Sequence, residues 1–220
     1  MREAKEDKLQ EFVTKIASLY YHQKQRFFIG LGAIAAVIVI IVIVFSTRGK
    51  ENPEVQLRFT EGLGLYSTNN VDQAEEKFID FSRRFNSNYL AAKAHFYLGD
   101  IYFQKQDFQK AKSEFERAYK KLKGDPVLGP SCLFGIGNCY EEMQNTKKAA
   151  EIYESVYNKY KKSSIGVEAL LAAGRCYRIL NNIAKAEMIY QKAVKELPPG
   201  QGAEQAKAEL AGIHTFKGKF

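Results

Sequence analysis

The sequence predicts an all-α protein, with an N-terminal transmembrane helix followed by a solenoid of helical hairpins. Three observations predict it. Residues 27–45 form an uninterrupted apolar run, a glycine recurs at intervals of 37 or 38 residues, and an alanine and an aromatic residue follow each such glycine at fixed distances. The chain has 220 residues, 45% of them hydrophobic and 26% charged, which suits a folded protein of one sizeable domain or two small ones.

The N-terminal part comes first. Residues 1–26 carry six Lys/Arg and read as a short amphipathic segment, partly helical. The run FFIGLGAIAAVIVIIVIVF (27–45) has nineteen residues without a charge or a strongly polar side chain. In a helix it rises about 28 Å, close to the roughly 30 Å hydrocarbon core of a bilayer. A cleavable signal peptide has a shorter apolar stretch ending at a small-residue site. Here the one Ala-x-Ala triplet, Ala33-Ile34-Ala35, lies inside the run, and Ser46-Thr47-Arg48 follows it. An uncleaved anchor contacting lipid through residues 27–45 is therefore expected. The six Lys/Arg of residues 1–26, with Lys24 and Arg26 hard against the run, outnumber Arg48, Lys50 and Arg58 beyond it and favour a cytoplasmic N-terminus in an inner membrane and a periplasmic C-terminal domain. Gly32 and Ala36 form a small-xxx-small pair, a pattern too common in apolar segments to imply dimerisation. Residues 46–53 form a linker that holds the C-terminal domain close to the bilayer.

Residues 54–200 contain four copies of one pattern. Gly62, Gly99, Gly137 and Gly174 are each followed after twelve residues by Ala74, Ala111, Ala149 and Ala186, and four residues later by Phe78, Phe115, Tyr153 and Tyr190. Tyr102, Tyr140 and Tyr177 stand three residues after the last three glycines, with Leu65 in the first copy. A glycine inside a helix costs about 1 kcal/mol against alanine, so four in register need a packing reason. Short polar stretches (TNNV, KQDF, MQNT, LNNI) separate glycine from alanine in each copy, so a copy reads as two antiparallel helices. Small residues on their facing surfaces let the helices approach, and the aromatics fill the space between one hairpin and the next. One hairpin cannot bury its apolar face alone, so hairpins stack. Residues 201–220 read as a polar-faced capping helix to about Gly212 and a frayed tail.

The order Leu-Gly-x-x-Tyr, Ala, Phe/Tyr, small residue resembles the tetratricopeptide repeat. Leu98, Gly99, Tyr102, Ala111, Phe115, Ala118 and Pro126 carry it best, then Gly174, Tyr177, Ala186, Tyr190, Ala193 and the Pro198-Pro199 stop. The first copy departs most, with Leu65 and Phe81 at two positions. A spacing beyond the usual 34 implies extra residues at each inter-repeat turn.

Enzymatic chemistry is not expected. No phosphate-cradling GxxxxGK[ST] occurs, and GLGLYS and GIGNCY lack the third glycine of a dinucleotide loop. His22, His95 and His214 are far apart, so neither a metal nor a cofactor is expected. Cys132, Cys139 and Cys176 read as small buried hydrophobes, too distant along or between helices for an unstrained disulfide. Three unpaired thiols sit awkwardly with an oxidising compartment. The formal charge is +8, but beyond the anchor the signs alternate as on solvated helix faces, so nucleic acid is not an expected partner.

In the repeat that this chain resembles, first-helix positions line a concave groove. Three residues before each glycine stand Phe59, Phe96, Phe134 and Leu171; one after, Leu63, Asp100, Asn138 and Arg175; four after, Tyr66, Phe103, Glu141 and Arg178. The groove should grade from apolar to charged along the chain, unless the Phe row packs as core. No Lys/Asn pair forms the carboxylate clamp of some such modules. The order of parts, anchor then repeats, is similar to the YfgM-like ancillary subunit of the SecYEG translocon. That resemblance implies a scaffold in the bacterial envelope, in contact with translocon subunits, periplasmic chaperones or secreted clients. Rival readings are an envelope-assembly or cell-division coordinator like the Tol-Pal-associated repeat proteins, an anchored regulatory tether, and an organelle-membrane adaptor with cytosolic repeats.

Overall fold

A computed structural model describes residues 10, 11, 13–15, 24–47, 52–86 and 89–217, with side chains of the first helix described at 28, 29 and 33–42. The chain divides into two compact units, Met1–Asn52 and Pro53–Phe220.

In the first unit, residues 10, 11 and 13–15 are helical, and Lys15 pairs with Glu11 at 2.9 Å. Residues 24–26 of the expected 1–26 segment begin the next helix; its residues in neither stretch, and 48–51 of the 46–53 linker, lie outside the described residues. Helix α1 (Lys24–Thr47) takes in the whole apolar run in one continuous helix of 24 residues. Its described large apolar side chains, Phe28, Ile29, Ile34 and those at 37–42, are all exposed. Among the described residues no helix is long and apolar enough to cross a membrane. The expected membrane-spanning helix is therefore not shown by this structure.

The second unit is all helix: α2 (Pro53–Ser67), α3 (Val71–Arg84), α4 (Tyr89–Gln104), α5 (Phe108–Leu122), α6 (Leu128–Glu142), α7 (Thr146–Lys159), α8 (Ser164–Ile179), α9 (Ile183–Glu196) and α10 (Gln201–Lys217). They pair as α2/α3, α4/α5, α6/α7 and α8/α9, and each pair is one copy of the sequence pattern. The turn inside each pair is built the same way four times. Asn69, Gln106, Gln144 and Asn181 take left-handed backbone, with φ between 57° and 61°. The next residue's amide then reaches back five positions, as from Asn145 N–H to the Tyr140 carbonyl at 2.8 Å, closing the preceding helix. The side chains of Asp107, Asn145 and Asn182 accept from the amide three residues on and start the next helix. The links between pairs, 85–88, 123–127, 160–163 and 197–200, are longer than the three-residue turns within them.

The four glycines pack differently from expectation. The aromatic ring does not wait for the next hairpin: it lies on its own hairpin's glycine. A Cβ at Gly62, Gly99, Gly137 or Gly174 would stand 2.9, 2.7, 2.5 or 2.6 Å from the ring of Phe78, Phe115, Tyr153 or Tyr190. Phe115 also reaches forward, lying 2.8 Å from where a Cβ would be on Gly135 of the next hairpin. Ala74, Ala111, Ala149 and Ala186 are wholly buried beside these rings. The last helix corrects the sequence reading too, since α10 continues as helix to Lys217 instead of fraying after Gly212. Ala203, Ala206 and Ile213 bury it against the fourth hairpin. Gly212 follows Gly174 by 38 residues, so α10 sits in the register of a fifth first helix.

Candidate functional site

Successive first helices pack closely along the stack, α2 with α4, α4 with α6, α6 with α8 and α8 with α10, whereas the backbones of successive second helices stand further apart and meet through long side chains, such as Tyr157 with Glu196 and Lys185 with Glu154. The first helices thus form the inner layer of the solenoid and the second helices the outer layer. The twelve positions singled out in the sequence all lie on inner-layer helices.

They divide into three groups. Phe59 and Leu171 are buried and line no groove. Phe59 belongs to the core, its ring 5.8 Å from Phe78, 5.6 Å from Phe81 and 6.1 Å from Tyr97, and Leu171 joins the core under α10. A residue three before the glycine faces its own second helix, which covers it fully where the neighbouring chains are bulky. Phe96 and Phe134 at the same position remain half-buried, packed on Phe115 at 5.9 Å and Tyr153 at 5.2 Å. Leu63, Tyr66 and Phe103 are also half-buried, with Phe103 edge-on to Phe108 at 5.3 Å.

The polar members are tied to one another across repeats. The Tyr66 hydroxyl donates to Asp100 at 2.5 Å, and the Gln104 amide donates to the same carboxylate at 2.6 Å. Glu141 accepts from Arg175 on the next first helix at 3.0 Å, using both oxygens. Arg178 pairs with Glu209 on α10 at 2.5 Å. Asn138 and Glu141 both accept from the Tyr153 hydroxyl, at 2.7 and 2.8 Å. The inner face does grade from aromatic to charged, but its charges are matched internally. Arg175 and Arg178 still expose about half of each side chain, at 48% and 47%, and remain able to share their donors with a ligand. Burial, reinforced by the bond to Asp100, raises the Tyr66 hydroxyl's pKa, so Tyr66 stays a neutral donor.

Sequence reasoning missed three residues of this face. Tyr97 stacks on Phe78 at 5.3 Å and 9° and stands 5.1 Å from Tyr66, but it recurs in no other copy. Glu209 was legible from the fifth glycine, because it stands three before Gly212. Tyr153 was visible as a core aromatic but not as the hydroxyl that holds Asn138 and Glu141.

Elsewhere the chemistry is structural. Cys132, Cys139 and Cys176 are free and buried, and burial pushes their thiols up to about 12, 12 and 11. Such thiols are protonated and inert, so their being unpaired says little about the redox compartment. His95 pairs with Glu114 at 2.5 Å and His214 with Glu187 at 3.0 Å. Among the described residues no group of His, Cys, Asp and Glu could hold a metal ion.

Stacked helical hairpins with a half-buried aromatic and polar inner face define a helical-repeat interaction module. Descriptions of the tetratricopeptide repeat match residues 59–126, 131–163 and 167–196, so the chain belongs to the tetratricopeptide-repeat family. Solved structures agree on the fold. A tetratricopeptide repeat protein from Parabacteroides merdae matches with a TM-score of 0.61 at 21% identity, over 74% of this chain and 61% of its own length. A putative kinesin light chain from Podosopora anserina, with nearly identical repeats, gives 0.59 at 14% identity, over 77% of this chain and 90% of its own. MamA gives 0.55 at 20% identity, over 70% and 81%. This chain thus spans under two thirds of the Parabacteroides protein. No curated protein matches it. No catalytic family is indicated, and the family supports a protein-interaction scaffold.

Proposed function

We propose that this chain is a membrane-anchored scaffold of the bacterial envelope, holding proteins or extended peptides on its inner face beside the Sec translocon. Periplasmic chaperones and secreted clients are the partners this reading implies. The carrying observation is the inner face itself. Tyr66, Phe96, Phe103 and Phe134 offer half-buried aromatic surface, followed along the stack by the half-exposed cations Arg175 and Arg178. An extended segment with apolar residues toward one end and an acidic group toward the other fits such a surface. The apolar run 27–45 supports the anchor, since its nineteen residues match a bilayer core and the described large apolar side chains of α1 are exposed.

In-cell photo-crosslinking from Phe103 and Arg178 tests the partner, with adducts identified by mass spectrometry. Translocon subunits, chaperones or nascent secreted chains are the expected adducts. Adducts with Tol-Pal or outer-membrane assembly proteins would replace this reading with an envelope-assembly coordinator. Protease protection of the repeats in sealed vesicles tests the topology, and digestion from the cytoplasmic side would favour the organelle-adaptor reading.

A further inference from the structure

The solenoid has two long edges. One carries the turns inside the hairpins; the other carries the links between hairpins, where second helices end and first helices begin. At the turn edge lysines are mostly paired: Lys105 bonds Asp72 and Glu75, each at 2.5 Å, Lys110 pairs with Asp107, Lys148 with Glu151 and Lys185 with Glu154.

The link edge differs. Lys120, Lys121 and Lys123 stand at the second link and Lys159, Lys161 and Lys162 at the third, all exposed, with Arg83 and Arg84 at the first. The acids there are Asp80, Asp125 and Glu196, with Glu54, Glu168 and Glu204 near the starts of first helices, where Glu54 pairs with Arg58 and Glu204 with Lys207. Asp80 pairs with Arg84, Glu196 lies 3.6 Å from Lys161, and Asp125 accepts from Tyr89 and two backbone amides. Arg83, Lys120, Lys123 and Lys162 form no ion pair among the described residues. Contacts join the links into one strip: Lys121 donates to the Asn86 carbonyl at 2.9 Å, the Tyr160 hydroxyl to the Lys123 carbonyl at 2.7 Å, and the Tyr157 hydroxyl to Glu196 at 2.8 Å. Two apolar tips stand among the cations, Val127 at 66% exposure and Tyr89 at 43%.

Topology adds the second argument. Every first helix starts at the link edge, so Pro53, the first residue of α2, enters the solenoid there. Residues 48–52 separate it from the end of α1, a gap of six Cα steps that spans at most about 22 Å. Resting on the reading of residues 27–45 as an anchor, we infer that the link edge is a docking surface for an anionic lipid bilayer. The lysines meet acidic headgroups, and Val127 and Tyr89 enter the interfacial layer. An acidic protein would match the charge equally well, but it would not account for the anchor's entry at the same edge.

The test uses the full chain in vesicles of phosphatidylcholine, alone or enriched in phosphatidylglycerol. A fluorophore is placed at either end of α7, on Asn158→Cys at the link edge or Lys147→Cys at the turn edge, and headgroup-quencher lipid is added. The buried native thiols do not compete for label. In phosphatidylglycerol vesicles the label at 158 should be quenched severalfold more than that at 147. High salt, or the triple variant Lys120→Glu, Lys123→Glu, Lys162→Glu, should abolish that excess, at about fivefold weaker docking per cation removed. Equal quenching at both ends, or an excess insensitive to lipid charge, salt and the variant, overturns the inference. Flotation with neutral vesicles reports separately on the anchor. A chain that floats there without the charge-dependent excess keeps its anchor and loses the docking edge. A chain that floats only with phosphatidylglycerol, and not in the triple variant, loses the anchor and keeps the edge.

Discussion

Gly137 and Gly212 occupy the same place in the repeat and have opposite surroundings. A Cβ at Gly137 would stand 2.5 Å from the Tyr153 ring, while at Gly212 it would find nothing within 4 Å. The difference lies in what faces them. Gly137 is on a first helix covered by its own second helix, whereas Gly212 is in α10, which packs on the fourth hairpin with the glycine face left open. The recurrent glycine is therefore no local device of helix geometry. Its helical cost is offset where an aromatic ring lies against it and is left standing where none does.

Gly137→Ala is the sharpest way to break that comparison. Tyr153 is fully buried with the Phe134 ring 5.2 Å away, so it has no room to retreat. Overpacking of this kind costs about 1–3 kcal/mol, read as a lower urea midpoint. Gly212→Ala should move the midpoint the other way, by about 0.5–1 kcal/mol of helix propensity. Equal shifts at the two sites would remove the packing explanation.

A second pair sharpens the comparison within the core. The Tyr153 hydroxyl bonds Asn138 and Glu141, while the Tyr190 hydroxyl has no hydrogen bond among the described residues. Tyr153→Phe should cost about 1–2 kcal/mol and loosen the Glu141–Arg175 bridge, and Tyr190→Phe should be close to neutral. Urea unfolding of both variants decides it; a costly Tyr190→Phe would reveal an ordered water.

A separate effect comes with pH. Burial holds the Cys132, Cys139 and Cys176 thiols near 12, 12 and 11 against an ordinary 9.0, so the folded chain keeps protons that the unfolded chain releases. Their contribution is complete below pH 9 and is lost as pH rises toward 11 to 12. Stability should fall over that range, and a thiol reagent at pH 8 should modify none of the three until denaturant is added. Rapid labelling of the native chain would mean that the third and fourth hairpins breathe open.

Much of this architecture was legible in the chain. The register of glycine, alanine and aromatic is dictated by one packing problem solved repeatedly, so periodicity alone revealed the hairpins, their turns and the apolar run at 27–45. Two features needed the tertiary structure. Phe59 and Phe134 stand at equivalent positions, yet one is core and the other half-exposed, because burial depends on the neighbours that arrive from adjacent helices. Arg175 and Arg178 read as free groove cations, yet Glu141 and Glu209, each more than thirty residues away, neutralise them. Helix period and repeat length are properties of the chain's own covalent geometry, and a sequence carries them openly. Which charges meet, and which ring shields a given side chain, is set by stacking between repeats, and only the folded solenoid decides that.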